Sequence, residues 1–598
     1  MRFRIFKIIT TLLCILLGAG ALVIALFAYQ LGMDNNSTPG TMRKILAALG
    51  VLLLLAPLLI YWSTKIEKRL NIRRGLHRLF DLKKPDQNNS TGSRSRTWHF
   101  FNSNAIFWSV LGVLIVMCCS LWYITNGRMI HFQPYSDYFD KQADGFLAGQ
   151  TSLLETPAEE LANLPDPYDW KARTGIHLIW DASYYNGNYY LYWGPVPALL
   201  AALVKAIRPG VVEDQYLLLF FITSLAIVFA RLLVYLRKTY FQTTPTWTLT
   251  LFVMAGGLST PIFWLVNRPN VYETAIASCQ FFLILGIYAA IRGLNSTSAQ
   301  GRWLLVSGLA LGASVASRTS IVFTVFLIVA VILVMMVNQH SRNKRWIASV
   351  LCVLLPLILF AGGLCGYNYV RFGSFFETGM RYQLTGDALP EDLSQLFSLR
   401  YIIPNTYLSL LQPYQYTPGQ FPFFIATTDN NWTRIISIPE NYYFAEQVTG
   451  VLCTIPFLWM LIIPIFRLLR AGWHWVKETP NSEVKPSMHP VPQWMWWMLA
   501  GAGFVAFLTN MMFVMTTMRY LADFTPLWVI VTCLGVMQAI ESARHSKPIR
   551  FLLLGALTVT CLVTIVISLF INFTCGDHRM EKGNPRLYEK LVELFQRP

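Results

Sequence analysis

The sequence predicts an all-α polytopic membrane protein with about 13 transmembrane helices. Three observations carry this reading. Of the 598 residues, 54% are hydrophobic and only 13% are charged, whereas soluble domains carry about 25% charged residues. Mean hydropathy is +0.44. Apolar runs of about 20 residues, the length of one bilayer crossing, recur along the whole chain. The formal net charge of +17 then reads as a topology signal. No zinc-finger or RNA-binding pattern accompanies it, so no nucleic-acid partner is expected. The ten cysteines show no C-x-x-C spacing, and most lie inside apolar runs, Cys118, Cys352 and Cys533 among them. That is the usage of small core residues, not of a disulfide-stapled ectodomain.

The first two spans fall at about 6–29 and 43–64. MRFRIFK resembles the basic start of a signal peptide. The apolar run behind it is long and lacks a small-x-small cleavage site, so an uncleaved span is expected. The loop from Lys65 to Trp98 carries ten Lys/Arg against three acids, which makes it cytoplasmic by the positive-inside rule. A third span at about 105–125 therefore runs outward. The following loop, about 126–214, lies outside; between Asn126 and Asp181 it holds nine acids and four Lys/Arg.

Tyr189–Ile207 is long enough to cross. If it crossed, Arg237, Lys238 and the basic loop His340–Arg345 would fall outside. An interfacial helix keeps every basic loop inside, and Pro195-x-Pro197 suits a helix start. On that reading, spans follow at about 215–236, 247–266, 270–291, 303–316, 320–337 and 347–368. A large outer loop, about 369–449, comes next. The last spans are about 450–468, 494–516, 521–540 and 550–573. The N-terminus is then cytoplasmic and the C-terminus extracytoplasmic. The expected organisation is an N-terminal two-span hairpin with its basic loop (1–104), a transmembrane core (105–573) and a short outer tail (574–598).

Charged residues gather at the outer span ends. Arg318 lies between two apolar halves in GLALGASVASRTSIVFTVFL. A charge there costs a few kcal/mol unless it faces a cavity or a partner, about 3 by insertion scales; snorkelling to headgroups is the bland alternative. Arg519 and Asp523, four apart in MRYLADFTPLW, would pair with each other on one helix. Asp137 and Asp140 would share a face at a helix start. There they could hold a divalent cation such as Mg or Mn, or act as a base toward a hydroxyl; Asp137 or Asp144 could equally cap a short helix. Asp166 and Asp169 in LPDPYDWKAR read as turn formers. Arg268 and Glu273 form a second outer turn. Glu377, Arg381 and Tyr382 open the late outer loop as a polar and aromatic wall. YQYTPGQFPFF beyond it could dip into the interface. Asp181, Tyr184 and Tyr185 form a Trp-Asp-aromatic cluster with Trp180. Trp193 reads as an interfacial anchor. No internal repeat is visible.

This layout resembles the GT-C class of membrane glycosyltransferases, near the protein O-mannosyltransferase and aminoarabinose transferase branch. The similarity rests on an acid-bearing first outer loop (YSDYFDKQADGFLAGQ), a Pro-containing interfacial helix (YYLYWGPVPALLAAL), many short-looped spans and a late outer loop. It covers about 105–540. It implies a sugar transferred from a polyprenyl-phosphate donor to a glycan, lipid or protein acceptor, on the outer face of a bacterial inner membrane. Carried over, Asp137 is the expected base and Asp140 the second choice. Arg318, Arg381 and Arg519 would bind donor phosphate. Asp144, Asp181, Tyr184, Tyr185, Arg268, Glu273, Glu377 and Asp523 would contact substrate. The acidic pair is split here by Tyr138-Phe139, and Trp193-Gly194-Pro195 replaces the usual His-Pro-Pro-like element. The competing expectations are a transporter or flippase, which would carry ionisable residues near mid-membrane on broken helices, and a non-catalytic assembly protein.

Overall fold

The computed structural model describes residues 104–296, 299–340, 345–386, 393–426, 436, 438–439, 442, 446–466, 491–575 and 578–596, with scattered residues in 18–54. The expected first two spans and the Lys65–Trp98 loop lie largely or wholly outside the described residues. The chain forms two compact units. One comprises 1–104, 125–133 and 580–591. In it Arg128 Nη2 donates to Gly583 O at 2.9 Å and Asn584 Nδ2 to Asn126 O at 2.9 Å. The other comprises 105–124, 134–579 and 592–598, and holds everything below.

Helix α1, Ala105–Ile124, has 20 residues and reaches about 30 Å, one hydrocarbon thickness. A short helix α2 (Tyr138–Leu147) and a hairpin of β1 (Ser183–Tyr185) and β2 (Asn188–Tyr190) follow. Tyr184 pairs with Tyr189 across the hairpin. Helix α3 is Val196–Ile207, with Pro197 in its first turn. Its 12 residues reach only about 18 Å, so it does not cross, in line with the interfacial reading.

Six helices continue the bundle: α4 (Asp214–Tyr240), α5 (Thr248–Gly257), α6 (Thr260–Asn267), α7 (Val271–Leu294), α8 (Gln300–Ser317) and α9 (Val322–His340). The stretch expected as one span at 247–266 is a pair bent by 55°, with Pro261 opening α6. Helix α10 is Arg345–Phe372, α11 is Ile402–Leu410, and β3 (Gln415–Tyr416) pairs with β4 (Phe424–Ile425). Helices α12 (Gln493–Met511), α13 (Thr525–Ser542) and α14 (Lys547–Ile571) complete the core.

Among the described residues, seven helices are long and apolar enough to cross a membrane, or eight counting the bent pair as one. The protein is an integral membrane protein. The stretch expected at 450–468 is not one helix: Val451–Thr454 gives way to a 3-10 segment, Pro456–Leu461. Pro456 has no N–H to continue the turn.

The packing of α7 on α8 and of α8 on α10 needs small residues. A Cβ on Gly308 would stand 2.5 Å from Val353 O. Gly194, just before α3, is tighter still, with its Cβ position 1.9 Å from Ala316 O. Backbone meets backbone there, so the loop lies directly on the end of α8.

Two acid clusters hold α2. Lys205 Nζ of α3 meets Asp140 Oδ1 at 2.8 Å and Asp144 Oδ1 at 2.6 Å. Asp214, opening α4, accepts from the Ser136 hydroxyl and from the N–H groups of Tyr138 (3.3 Å) and Phe139 (3.1 Å). Within the aromatic stretch expected to dip into the interface, Phe421 is 7% exposed, meets Phe573 edge-on and stacks on Phe595, while Tyr416 is 59% exposed.

Replacing Gly194 by Ala should cost at least the about 1–3 kcal/mol of ordinary overpacking, because the atom it meets is backbone. Thermal unfolding in detergent checks this; an unchanged midpoint would show that the loop is not seated on α8.

Candidate functional site

At the loop-bearing end of the core lies a cavity of about 350 Å³. Four helix ends deliver charge around it: the start of α7 (Glu273), the end of α8 (Arg318), the end of α10 (Arg371) and the turn before α13 (Arg519, Asp523). Consecutive spans run in opposite directions, so these ends meet at one face.

Arg318 follows α8 in an extended conformation (φ −154°, ψ 115°) and lines the cavity. Its Nε and Nη2 both approach Asp523 Oδ2 at 3.2 Å, and its guanidinium lies over Tyr520, 5.1 Å from the ring centroid.

Arg519 and Asp523 were expected to pair on one helix. They lie instead on a 3-10 segment, Met518–Asp523, with different partners. Arg519 is bound by Glu446, which also accepts from Arg268 at 2.9 Å. Glu273 Oε1 is 3.9 Å from Arg519, and the Arg519 guanidinium covers the cavity-lining Tyr272 at 4.6 Å. Burial alone would raise the Glu446 carboxyl, but Arg519 and Arg268 hold it below the usual range.

Arg371 lines the cavity from another wall and is 4% exposed. It donates to Leu191 O at 2.6 Å and Asn368 Oδ1 at 2.7 Å, and its guanidinium lies 3.8 Å from the Tyr367 ring centroid. Its Nε is buried without a hydrogen-bond partner. No carboxylate among the described residues forms an ion pair with it. Glu377 lies within its electrostatic reach but not at ion-pair distance; a buried charge left without a paired carboxylate costs several kcal/mol, about 3–5 where pairs are broken by mutation. Sequence reasoning placed Arg371 outside but gave it no role. The signal was the one that marked Arg318, a charge at an apolar helix end.

The cavity wall is otherwise aromatic. Tyr192 stacks on Trp193, and Trp193 meets Tyr272 edge-on at 5.0 Å. Trp193, expected as an interfacial anchor, is 6% exposed and forms this wall. Phe323 and Leu364 belong to the lining and reach the surface of the bundle, Phe323 being 65% exposed. The cavity therefore joins buried charge to an apolar lip.

The structure separates the first-loop acids. Asp137 pairs with Lys141, while Asp140 also accepts from Val212 N at 2.7 Å. Each already has a lysine, and among the described residues no group of three metal-ligating side chains occurs. The Asp137–Asp140 pair does not fit a shared cation.

Asp166 and Asp169 accept from the N–H groups two residues on, as expected of turn formers. Tyr185 and Tyr382 pack together at 4.5 Å, with Phe372 stacked on Tyr382. Glu377 accepts from Gly379 N at 2.7 Å. Arg381 is exposed and does not line the cavity. Tyr184 is buried in the hairpin. Asp181 is 8% exposed, and burial raises its carboxyl above the ordinary range. Glu446 was missed: nothing in its part of the late loop marks one acid over another.

No family model matches the sequence, and no curated protein does either. Three solved structures are similar in fold, though loosely. The oligosaccharyltransferase of Archaeoglobus fulgidus in the apo form shares 11% identity at a TM-score of 0.42, over 82% of this chain and 60% of that one. ArnT from Cupriavidus metallidurans, bound to undecaprenyl phosphate, shares 10% at 0.40, over 80% and 78%. The archaeal oligosaccharyltransferase AglB from Archaeoglobus fulgidus, with an inhibitory peptide and a dolichol-phosphate, shares 12% at 0.38, over 82% and 60%. The present chain thus spans three-fifths of the length of the oligosaccharyltransferases.

The lowered Glu446 carboxyl fixes a pH dependence. A depressed folded value stabilises the fold above the unfolded value of about 4.3, and that stability is lost as pH falls through the lower folded value. Glu446→Gln should therefore unfold at a lower temperature than wild type at pH 7. The gap should close as the pH drops below the ordinary Glu range. A gap independent of pH would remove the ion pair as its cause.

Proposed function

We propose that this chain is a membrane glycosyltransferase that moves a sugar from a polyprenyl-phosphate donor to an acceptor hydroxyl or amine. The observation that carries the reading is Arg371: a buried guanidinium without a carboxylate, facing a cavity whose lip is apolar. The charge calls for an anion. The lip formed by Phe323 and Leu364 calls for that anion to carry a lipid tail. Arg371, at the last turn of α10, and Arg318, at the end of α8, would hold the donor phosphate between them. Guanidinium donors fit phosphate oxygens bidentately and remain charged throughout. They would also neutralise the charge that grows on the departing phosphate.

Arg519 has a different place in this scheme. Its guanidinium is shared by two carboxylates, Glu446 and Glu273, and, unlike that of Arg318, does not line the cavity, so it shapes the wall through Tyr272. The tyrosines and Trp193 offer faces on which a sugar ring can rest. A carboxylate of the first loop takes the acceptor proton. In the resembling class transfer is a single displacement with inversion.

The face bearing the cavity is the extracytoplasmic one of a bacterial inner membrane. Opposite to it lie Arg237 and Lys238 at the end of α4, Arg292 at the end of α7, and Lys547 and Arg550 at the start of α14. The positive-inside rule assigns that side to the cytoplasm. A transporter would gather its ionisable groups at mid-span; here they stand at helix ends on one side.

Binding of undecaprenyl-phosphate sugars to the purified full chain tests this reading. Wild type should bind at least one member of a panel and should not bind undecaprenol, which lacks the anion. Arg371→Gln should weaken binding about 10–100-fold, since a charge-assisted hydrogen bond is worth about 1.5–3 kcal/mol. Binding that ignores both Arg371 and the phosphate would overturn it.

A further inference from the structure

We propose that Tyr367 and Gln142 are positioning residues for Arg371, so that the first outer loop takes part in donor binding through an uncharged side chain. This rests on the glycosyltransferase reading and adds the residues that aim its phosphate site.

Tyr367 stands one turn before Arg371 on α10, and residues four apart share a helix face. Both line the cavity. The Arg371 guanidinium lies over the Tyr367 ring, 3.8 Å from its centroid, and the Phe372 ring stands at 4.7 Å. Two kinds of contact restrain a guanidinium: hydrogen bonds at its edge and an aromatic ring at its face. Leu191 O and Asn368 Oδ1 take the edge. Tyr367 takes the face. A ring holds the cation without cancelling its charge, which leaves that charge to an anion in the cavity.

Tyr367 is held in turn by α2. Gln142 Nε2 donates to the Tyr367 hydroxyl at 2.8 Å, and the Phe146 ring meets the Tyr367 ring edge-on at 6.1 Å. Gln142 and Phe146 are four apart, so both reach Tyr367 from one face of α2. Asp140 and Asp144 are also four apart, and both reach Lys205 of α3. Gln142 lies two residues from each acid, about 200° round the helix. One face of α2 is therefore clamped to α3, and the opposite face bears on Tyr367.

Gln142 is 1% exposed, and its Oε1 is buried without a hydrogen-bond partner. Burying an amide half satisfied is unfavourable, and an apolar side chain of similar size would avoid that cost. Among the described residues, its one side-chain hydrogen bond goes to Tyr367. That bond spans 225 residues of sequence and ties the first outer loop to the outer end of α10. The acids of α2 set where the helix sits, and Gln142 passes that position on to the ring beneath Arg371.

A tyrosine that only packed α2 against α10 would affect stability and not the work of Arg371. A double-mutant cycle separates the two roles, because residues acting through one another are not additive. The readout is the affinity of the purified full chain for undecaprenyl phosphate, with thermal unfolding followed on the same samples. Tyr367→Leu should weaken binding about 5–30-fold, the worth of a desolvated cation–π contact. In an Arg371→Gln background the same change should cost less than about twofold, since no guanidinium is left to aim. Tyr367→Phe keeps the ring and loses the hydroxyl, and Gln142→Leu loses the same bond from the other side. Each should weaken binding about 2–5-fold, the worth of one ordinary hydrogen bond, and the two together no more than either alone. If Tyr367→Leu does not fold, this second pair carries the test. The proposal is overturned if Tyr367→Leu binds within about twofold of wild type, if its cost is the same with and without the Arg371 guanidinium, or if the losses of Tyr367→Phe and Gln142→Leu add. A wild type that binds no undecaprenyl phosphate, or whose binding ignores Arg371→Gln, fails the lipid-phosphate reading itself, and this proposal with it.

Discussion

The arrangement around the cavity follows from the cost of burying a guanidinium. Taking an arginine out of water costs several kcal/mol unless another charge answers it, with about 3–5 the range seen on breaking buried pairs. Arg318 is answered by Asp523, and Arg519 by Glu446 and Glu273. These pairs cross-link distant parts of the chain: the end of α8 to the turn before α13, and the late loop to the start of α7. They tie down the end of α8, the start of α7 and the turn before α13. Arg371, at the end of α10, has carbonyl and amide oxygens as its acceptors. These satisfy its hydrogen bonds in part and leave its charge in place.

Carbonyl partners fix the direction of a guanidinium without neutralising it, which is what a preorganised anion site requires. The fold supports that rigidity from beneath. Gly194 brings the loop backbone onto the end of α8, and Lys205 clamps α2 to α3 through two carboxylates. The first-loop acids Asp137, Asp140 and Asp144 each stand beside a lysine.

Much of the fold was legible in the sequence because hydrophobic length is read directly as span length. The helices at 105–124, 214–240, 271–294 and 547–571 lie within a few residues of expectation, and the interfacial nature of 196–207 follows from Pro197 and the basic loops. Breaks inside apolar runs were not legible. Hydropathy does not register the bend at Leu258–Ser259 or the 3-10 turn after Pro456. The site was legible in kind but not in pairing. A charge at an apolar helix end marked Arg318, and the same signal was present at Arg371. Which acid answers which arginine depends on contacts 73 to 246 residues apart in sequence, and no local spacing encodes them. The three-residue spacing of Asp137 and Asp140 suggested a shared face, yet α2 begins at Tyr138 with Asp137 outside its first turn, so the two acids meet different lysines.

The central claim is that one cavity joins an uncompensated arginine to a lipid-accessible lip. Cryo-electron microscopy of the full chain in lipid nanodiscs with added undecaprenyl phosphate tests it most directly. The account predicts phosphate density within hydrogen-bonding distance of Arg371 and Arg318, with the tail leaving between Phe323 and Leu364. Lipid phosphate bound at another surface, with Arg371 still bonded to Leu191, Asn368 and Thr378, would contradict it.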